Sequence, residues 1–422
     1  MRLAIVGGGW AGLAAAVRSA EAGHAPTLFE MSAQPGGRAR AVVVDGLALD
    51  NGQHILIGAY RRTLALMQTV GANADALLLR RPLELRHPDG RGLQMPPGPP
   101  WLGFVRAVAG CRGWGAGDRV ALIATALRWA LAGFRCRGDR TVEQLCRGLP
   151  PAVRELLIDP LCVAALNTPA RDASAAVFLR VLRDALFSGR GSADLLLPRQ
   201  SLAALLPDPA ERWLRAAGAE LRLGSRVQGL EPAAGGWAID GEVFDAVVLA
   251  CSAAEASRLA APVAPVWAQQ AGALRYEPIV TVYLRCPGAR LPAPMTALVE
   301  TAEAPAQFAF DHGALGATTG IFAFVISGAR RWVDAGLDAT GAAVLRQAHS
   351  AFGSGTWPSP PRLLRVLAEK RATFRCTPGL VRPPAGIASR LVAAGDYVDG
   401  PYPATLEGAV RSGEAAAALL RA

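Results

Sequence analysis

The sequence predicts an α/β protein in which a Rossmann-type nucleotide-binding domain is joined to a discontinuous second domain. Two observations lead to this prediction. Residues 2–38 have the pattern of strand, glycine turn, helix and strand, and residues 391–420 return to a strand followed by a helix at the other end of the 422-residue chain. A chain of this length can form two domains with a large core.

The first of these stretches has the spacing of a dinucleotide-binding βαβ unit. Gly7 makes the turn from an apolar strand into an alanine-rich helix, Gly9 lets the backbone approach a pyrophosphate, and Gly12 lets the helix pack close to the sheet. The amide groups and the positive dipole end of that helix favour a diphosphate. Glu30 follows the second strand at the distance expected of the acid that accepts hydrogen bonds from an adenosine ribose.

The residues after Glu30 distinguish between nucleotides. Gly36, Gly37 and Arg38 resemble the second glycine pair and the arginine that FAD-dependent amine oxidases and carotenoid desaturases carry after the ribose acid. In those families the arginine lies against the diphosphate, and NAD dehydrogenases lack it. The resemblance therefore implies that the cofactor is FAD.

A predicted hairpin leads into a polar loop that starts at Asp50. Two interpretations of this loop stay open. In the first, Gly52, Gln53 and His54 line the isoalloxazine ring of the flavin. In the second, the loop is an ordinary turn in which Asp50 caps a neighbouring element. Considered by itself, a histidine such as His54 is more often structural than catalytic.

Residues 96–190 are predicted to be mainly helical. The apolar segments at residues 101–110 and 119–134 carry several aromatic side chains, and arginines recur among them. Such a region can lie in a membrane interface with its arginines at the headgroups, or it can form a helical subdomain packed on itself. A further helix is predicted over residues 151–167, broken by its Asp-Pro pair.

The chain then returns to alternating strands and helices. A predicted strand at residues 226–230 carries Val227, and in the FAD families the backbone of this strand pairs with adenine. A second, largely antiparallel sheet is predicted to roof the flavin. Its candidate strands are residues 279–284, 296–299, 307–310 and 321–326.

The C-terminal block is the second strong motif. A strand ends in Gly395-Asp396, and Asp396 can bind the ribityl or diphosphate region of FAD. Thr405, Leu406 and Glu407 begin the last helix, and the amide N–H groups at a helix start can stabilise negative charge on the pyrimidine edge of a reduced flavin. The two halves of one FAD site are therefore expected at opposite ends of the chain.

Each domain is predicted to be assembled from separate segments. The substrate domain combines the mixed or antiparallel sheet with the helical, membrane-facing part. The FAD-binding domain comprises residues 1–75, 195–260 and 385–422, and the substrate domain comprises residues 76–194 and 261–384.

The composition argues against several classes of function. The net charge is +10 and the pI is near 9.9, but the charge comes from arginines spread along the chain, with Lys370 as the single lysine. No basic run with interleaved aromatic residues occurs, so we expect no nucleic-acid partner, and an anionic membrane surface is the more plausible one. The seven cysteines contain no CxxC pair, which predicts reduced thiols and no metal site.

The two ends of the chain and its hydropathy give an expectation for location. The first strand begins without room for a leader peptide, and no apolar run reaches the roughly 18 to 20 residues that a membrane-spanning helix needs. We therefore expect a cytoplasmic protein that is soluble or peripheral on the inner face of the cell membrane.

Further segments complete a more specific pattern. They are residues 49–60, 159–161 with 164–169, 195–199 and 369–374. Together with the FAD motifs, they make the chain resemble, over nearly its full length, the bacterial hydroxysqualene dehydroxylases of hopanoid biosynthesis. The resemblance implies a thirty-carbon isoprenoid substrate, an upstream enzyme that forms hydroxysqualene, and an electron donor that the sequence does not identify.

The reaction implied by this resemblance is the reductive removal of an allylic hydroxyl, which gives squalene. Hydroxide is a poor leaving group, so the reaction needs a proton donor, tolerance of a developing allylic cation and a hydride from reduced flavin. His54, Asp311 and His312 are the candidate donors. An apolar tunnel that opens toward lipid is expected to hold the substrate.

Three other functions stay open. An oxidative carotenoid desaturase of the phytoene type uses the same cofactor and a similar lipid but moves the hydride in the opposite direction. An amine oxidase often uses a lysine bonded through water to the flavin, and Lys370 is available for that role. The third alternative is an isoprenoid carrier that keeps the fold without catalysis.

Overall fold

A computed structural model describes residues 1–420 of the chain. Its strands belong to one large parallel sheet, one large antiparallel sheet and several small ones. In chain order they are β1 (Arg2–Val6), β2 (Ala25–Glu30), β3 (Ala41–Val44), β4 (Leu47–Asp50), β5 (Leu56–Ile57), β6 (Leu78–Arg81), β7 (Glu84–Arg86), β8 (Gly92–Gln94), β9 (Leu195–Pro198), β10 (Glu220–Leu223), β11 (Leu230–Ala233), β12 (Gly236–Ile239), β13 (Glu242–Phe244), β14 (Ala246–Leu249), β15 (Tyr276–Arg285), β16 (Met295–Ala297), β17 (Phe308–Asp311), β18 (Ile321–Ile326), β19 (Arg362–Phe374), β20 (Gly386–Ala388) and β21 (Leu391–Ala393).

The helices are concentrated between β8 and β9 and around the parallel sheet. In chain order they are α1 (Trp10–Glu21), α2 (Arg61–Thr69), α3 (Ala74–Leu77), α4 (Pro100–Gly110), α5 (Ala116–Leu131), α6 (Val142–Leu145), α7 (Pro151–Val153), α8 (Asp159–Leu166), α9 (Ala175–Phe187), α10 (Leu202–Leu205), α11 (Pro207–Ala216), α12 (Ala253–Ala260), α13 (Pro265–Gly272), α14 (Arg330–Ala335), α15 (Leu337–Phe352) and α16 (Leu406–Leu419). None of the helices within residues 1–420 combines the length and the apolar composition needed to cross a bilayer.

The parallel sheet has six strands in the order β10-β2-β1-β14-β21-β20. Neighbouring strands are parallel except for β20, which is antiparallel to β21. In β1, residues 3–6 are all buried, as expected for a strand in the middle of a sheet that is covered on both faces. Because β1, β14 and β21 are neighbours, segments from the start, middle and end of the chain share one sheet.

The first and last helices approach each other very closely. A Cβ added to Gly413 of α16 would lie 2.1 Å from the carbonyl oxygen of Ala11 in α1, and one added to Gly12 would lie 1.9 Å from the carbonyl oxygen of Gly7. Only glycine allows backbones to come this near. The two ends of the chain are therefore held together beside the turn that follows β1.

The second large sheet has five strands in the order β16-β17-β18-β15-β19, and all its neighbouring strands are antiparallel. An antiparallel second sheet is what the sequence predicted. One face packs on the helices between α4 and α9, and the other face packs on α15. The pairing of β15 with β19 is interrupted, because Glu277 pairs with Thr373 but Ile279 pairs with Glu369. Three residues of β19 therefore bulge opposite one residue of β15.

The predicted helix break at the Asp-Pro pair is wrong. A π-helical turn, Arg154–Ile158, joins α7 to α8, and the backbone of Asp159 keeps helical angles (φ −66°, ψ −47°). Pro160 has no N–H to donate, and the π turn before it changes the hydrogen-bond pattern of the helix at this point. The helical chain therefore continues through this pair.

The predicted strand at residues 226–230 is also largely absent, since only Leu230 belongs to a strand. The amides of Gln228 and Gly229 donate instead to Oδ1 of Asp240, at 3.0 Å and 2.7 Å. A side-chain carboxylate has thus taken the place of a neighbouring strand as hydrogen-bond acceptor. The proposed division of the chain into two domains stays a prediction.

Candidate active site

A cavity of about 550 Å³ lies at the carboxyl ends of the parallel strands and extends to the antiparallel sheet. Ligands of open α/β sheets bind at this edge. The wall on the parallel-sheet side includes Val6 after β1, Glu30 at the end of β2 and Ala250 after β14. The opposite wall comes from β15, β17, β18 and β19, so the cavity lies between the two large sheets.

Two glycine loops face each other at one end of the cavity. The amide of Gly36 donates to the carbonyl oxygen of Gly8 at 2.8 Å, and a Cβ added to Gly37 would lie 3.2 Å from the Cα of Gly9. Gly7, Gly9 and Gly37 line the cavity. No side chain caps the start of α1 at Gly9, so its first amides are suited to an anionic ligand such as a diphosphate.

The acid predicted to bind ribose lies at the same end. Glu30 is buried, lines the cavity, and accepts hydrogen bonds from the amides of Gly8 (2.7 Å) and Ser32 (2.8 Å), one on each carboxylate oxygen. An ionised carboxylate has about four lone-pair sites. Glu30 therefore keeps acceptor capacity for the two hydroxyls of a ribose.

Arg38 joins three distant parts of the chain. Its Nη2 lies 2.5 Å from Oδ1 of Asp396, which follows β21, and its Nη1 donates to the carbonyl oxygen of Ala372 in the β19 bulge at 2.6 Å. Arg38, Ala372, Gly395 and Asp396 all line the cavity. The two motifs at the ends of the sequence are thus brought into direct contact at one site.

In the polar loop after β4, one residue fits the turn interpretation and three fit the cavity interpretation that the sequence left open. The side chain of Asp50 caps α10, because its Oδ1 accepts a hydrogen bond from the amide of Leu202 at 2.8 Å. Burial raises the pKa of Asp50 to about 7. The three residues of this loop predicted to contact the flavin, Gly52, Gln53 and His54, line the cavity.

His54 donates a hydrogen bond through Nδ1 and leaves Nε2 as an acceptor in the cavity. Its Nδ1 is 2.7 Å from the carbonyl oxygen of Gly52, and since a carbonyl can only accept, Nδ1 carries the proton. Burial lowers the pKa of His54, the hydrogen bond to Gly52 raises it less, and the charge of Arg38 lowers it further. The neutral form therefore prevails near pH 7, and its Nε2 presents a lone pair.

Asp311 and His312 do not line the cavity. Asp311 is fully buried, and its carboxylate accepts from the amides of Leu291 and Ala314, each at 3.0 Å. The ring of His312 packs edge-on against Tyr283 at 5.7 Å, and burial lowers the pKa of His312 to about 4. The prediction of these two residues as proton donors is corrected, because neither reaches the cavity.

Glu407 is also placed differently from the prediction. Its fully buried carboxylate accepts from the amide and hydroxyl of Thr63, both at 2.9 Å, and pairs with Arg411 at 2.7 Å. The side chain thus caps α2 and lies outside the cavity. Its neighbours Thr405 and Leu406 do line the cavity, at the start of α16.

The remaining predicted residues need smaller corrections. Gly12 does not line the cavity and serves the close packing of α1 described above. Val227 lines the cavity from an irregular segment, and its carbonyl oxygen already accepts from Nη2 of Arg258 at 2.7 Å. Only part of its backbone is therefore available to an adenine. Within residues 1–420, no cluster of His, Cys, Asp or Glu side chains could hold a metal ion.

Glu369 is a site residue that the sequence reasoning did not select. It lines the cavity next to the β19 bulge, and its Oε2 accepts from Nδ2 of Asn51 at 3.0 Å while its Oε1 accepts from the amide of Arg371. Asn51 also lies 3.4 Å from the carbonyl oxygen of Arg38. The segment 369–374 was part of the family pattern, so a signal existed, but nothing in it indicated a bulge.

Two buried polar atoms in the cavity wall support a polar ligand. Within the described part of the chain, the hydroxyl of Tyr397 and Oε1 of Gln53 have no hydrogen-bond partner. Buried polar groups are ordinarily satisfied by protein, water or ligand. Together with the facing glycine loops, Glu30 and Arg38, they form a set of groups that fits FAD.

The far end of the cavity is mostly apolar, although Asn167 and Ser327 also line it. Ile279 of β15, Phe308 and Phe310 of β17 and Val325 of β18 line it from the antiparallel sheet, and Ala164 and Ala165 of α8 line it from the helical region. The cavity thus has a polar end for a nucleotide and an apolar end for a hydrophobic molecule.

Comparison with known proteins identifies the family. The model of the family described as flavin containing amine oxidoreductase matches residues 10–421. The chain is 30% identical to a hydroxysqualene dehydroxylase from Rhodopseudomonas palustris, over 99% of this chain and 98% of that protein. This chain belongs to the hydroxysqualene dehydroxylase family of flavin-containing amine oxidoreductases. A second hydroxysqualene dehydroxylase, from Sinorhizobium fredii, is 29% identical over 98% of this chain and 97% of its own length.

Membership of this flavin-containing family makes the protein a flavoprotein oxidoreductase with FAD as its cofactor. Solved structures agree on the fold. An oxidoreductase from Methanosarcina mazei has a TM-score of 0.74 and 16% identity, covering 98% of this chain and 99% of that one. A putrescine oxidase bound to putrescine has a TM-score of 0.71 and 17% identity, covering 100% and 99%. A zeta-carotene desaturase from Synechocystis is 40% identical over only 18% of this chain and 16% of its own length.

Proposed function

We propose that the protein catalyses the FAD-dependent reductive dehydroxylation of hydroxysqualene to squalene. The observation that carries this proposal is the extent of similarity to proteins named hydroxysqualene dehydroxylase. It spans nearly the whole of both chains, so it includes the helical region and the antiparallel sheet as well as the FAD motifs. The apolar end of the cavity supports the proposal, because a thirty-carbon polyprenoid has almost no polar surface to recognise.

The proposed reaction replaces a C–O bond with a C–H bond. The substrate gains a hydride at an allylic carbon, and the departing oxygen gains a proton and leaves as water. Reduced FAD is the group that supplies the hydride. Glu30, Arg38, Asp396 and Tyr397 would hold FAD, and the apolar wall at Ile279, Phe308 and Phe310 would hold the polyprenoid and keep water from the developing cation.

Of the three predicted proton donors, only His54 lines the cavity. In its neutral form it cannot donate through Nε2, and it acts as an acid only after a second proton binds. Its lowered pKa makes that form a minority near pH 7 but also makes it a stronger acid. His54 is therefore our candidate for the group that protonates the leaving oxygen.

The wider setting is part of the same proposal. The substrate would come from an upstream enzyme that forms hydroxysqualene, and the product would enter hopanoid biosynthesis. An unidentified reductant must return two electrons to the flavin in each turnover. A substrate of this kind dissolves in bilayers, so we place the protein in the cytoplasm, peripheral on the inner face of the cell membrane.

An oxidative carotenoid desaturase is the second candidate, supported by the short segments that match such enzymes. Product analysis separates the two. The purified flavoprotein is incubated anaerobically with a chemical reductant and hydroxysqualene, and separately in its oxidised state with phytoene. Squalene in the first mixture, with no desaturated product in the second, supports the dehydroxylase. A desaturated product from the second, without squalene from the first, rejects it in favour of the desaturase.

A further inference from the structure

The outer face of the helical region carries an unusual concentration of exposed apolar side chains. Fifteen large hydrophobic side chains are exposed within the described residues, and six of them lie on α4, α5 and the end of α9. We call these six the apolar outer surface. They are Trp101, Val105, Val120, Leu127, Leu131 and Phe187.

On α5 these residues form a continuous stripe. Val120, Ala124, Leu127 and Leu131 are exposed and are spaced by three or four residues, so they share one face of the helix. The opposite face carries buried side chains such as Leu122 and Trp129, which pack in the core. Only the inner face of α5 packs in the core, so its exposed apolar face has no partner within the described fold.

The three elements that carry the apolar outer surface are neighbours. α4 contacts both α5 and α9. Phe134, just after α5, packs its ring against that of Phe187 at a centroid distance of 5.4 Å. Half-exposed Trp101 begins α4, and tryptophan is enriched where a protein meets the boundary between lipid and water.

Unpaired positive charge surrounds this surface. Residues 100–140 contain seven arginines and two aspartates, an excess of five positive charges in a chain whose total is +10. Within residues 1–420, none of these seven arginines forms an ion pair with an acidic side chain, which is also true of some exposed arginines on other elements, such as Arg212 and Arg346. Exposed Arg106, Arg112 and Arg135 are therefore available to anionic headgroups.

We propose that the apolar outer surface, with the arginines around it, binds the surface of an anionic lipid bilayer. Exposed apolar side chains on α4 and α5 would enter the headgroup boundary, and the arginines would contact phosphates. The surface belongs to the same helical region that lines the apolar end of the cavity through α8. The purpose of the contact, access to a lipid-dissolved substrate, rests on the proposed function, but the contact itself does not.

Vesicle flotation tests the apolar part of this proposal. The FAD-loaded protein is mixed with vesicles of phosphatidylcholine containing phosphatidylglycerol and is centrifuged through a density gradient. Leu127→Glu with Leu131→Glu, at positions 58% and 81% exposed, should reduce the floated fraction by about tenfold. The matched control is Val266→Glu with Val381→Glu, at positions 80% and 72% exposed on other elements, which adds the same charge and should float as the unmodified protein does.

The arginines are tested separately. Arg106→Gln, Arg112→Gln and Arg135→Gln together should weaken binding to anionic vesicles by about tenfold and should have little effect with pure phosphatidylcholine. The triple control is Arg212→Gln, Arg285→Gln and Arg346→Gln, which removes the same charge from exposed arginines of other elements. Raising the salt concentration should weaken binding of the unmodified protein.

Several outcomes would overturn the proposal. The stripe variant and its control could float equally, or the protein could remain in solution with anionic vesicles. A dimer in light scattering that the stripe variant dissociates, without flotation, would instead assign the surface to a second copy of the chain. Flavin absorbance and unfolding temperature establish that each variant is folded. Flotation as expected without squalene formation would reject the proposed function and leave the bilayer contact standing.

Discussion

His54 is the residue whose protonation state matters most for the proposed reaction. Its pKa is lowered, mainly by burial, below the ordinary value near 6.5, so a proton-donating form accumulates only as the pH falls. We expect turnover with reduced flavin to rise as the pH decreases below the ordinary histidine pKa. His54→Asn should remove this rise and lower turnover by about a hundredfold.

The control for His54 is His87. It is also buried with a lowered pKa, but it does not line the cavity. His87→Asn should keep the pH dependence of the unmodified enzyme. If His54→Asn instead retains the same pH profile and rate, the proton comes from another group or from water.

Asp50 gives a prediction about stability. Its pKa is raised to about 7 by burial, above its value in an unfolded chain, so folding favours the protonated acid. The contribution of this group to stability is complete below about pH 4 and is lost as the pH rises through 7. Asp50→Asn keeps an acceptor for the Leu202 amide without the buried charge. The difference in free energy of unfolding between the variant and the unmodified protein should therefore shift in favour of the variant by about 1 to 3 kcal/mol from pH 5 to pH 8.

Urea unfolding of the FAD-loaded protein at pH 5 and at pH 8 measures this difference. The relevant quantity is the change in free energy of unfolding between the two pH values, because other groups titrate equally in both proteins. A constant difference between variant and unmodified protein across that range would show that Asp50 is ionised with an ordinary pKa.

At the residue scale, the sequence predicted side-chain positions where the spacing is local. Glu30 follows the glycine turn within one βαβ unit, so its position in the cavity could be predicted from chain distance. Glu407 begins a helix next to two residues that do face the cavity, yet its own carboxylate caps α2. That outcome depends on where α2 packs, about 345 residues earlier in the chain, and helix periodicity holds no information about it.

The contact between α1 and α16 leaves no room for an added side chain at Gly413. A methyl group on Gly413 would meet the Ala11 carbonyl oxygen at 2.1 Å, so Gly413→Ala should force the two helices apart and destabilise the protein by about 1 to 3 kcal/mol. The control is Gly117→Ala in α5, where nothing lies within 4 Å of the added Cβ. There the substitution should stabilise by about 0.5 to 1 kcal/mol through helix propensity.

Urea unfolding compares these two glycine variants. Because α1 also borders the glycine loops, Gly413→Ala is expected to weaken FAD binding as well, and fluorescence of released flavin would report it. Equal stability of the two variants would mean that α1 and α16 are farther apart than the structure has them.

Elements were predictable from sequence where the apolar pattern decides them. The predicted strands at residues 279–284, 296–299, 307–310 and 321–326 agree with β15, β16, β17 and β18 to within a few residues, whereas β20 was not predicted. The predictions of individual elements failed for two reasons: a side chain replaced a backbone hydrogen-bond partner, or a helix changed its hydrogen-bond pattern. Asp240 takes the amides of Gln228 and Gly229 away from a strand, and a π turn before Pro160 lets a helix continue. Neither feature produces a periodic pattern of apolar residues in the sequence.

At the scale of the whole molecule, the site exists only after the chain has folded. Arg38 meets Asp396 across 358 positions of sequence, and the apolar wall comes from a sheet between them. The sequence predicted FAD because each motif is local, and it predicted that both ends of the chain contribute. It could not predict which face of the antiparallel sheet meets the cavity or that β19 bulges there, since both depend on how the two sheets pack.

The most direct test of the proposed reaction is a single-turnover measurement of the flavin. The purified protein is reduced anaerobically, mixed with hydroxysqualene, and followed by absorbance near the oxidised flavin band while squalene is quantified. We predict reoxidation of the flavin with one squalene formed per flavin oxidised, and no reoxidation with squalene itself. Flavin that stays reduced with hydroxysqualene, or that reoxidises without squalene, would contradict the assignment as a hydroxysqualene dehydroxylase.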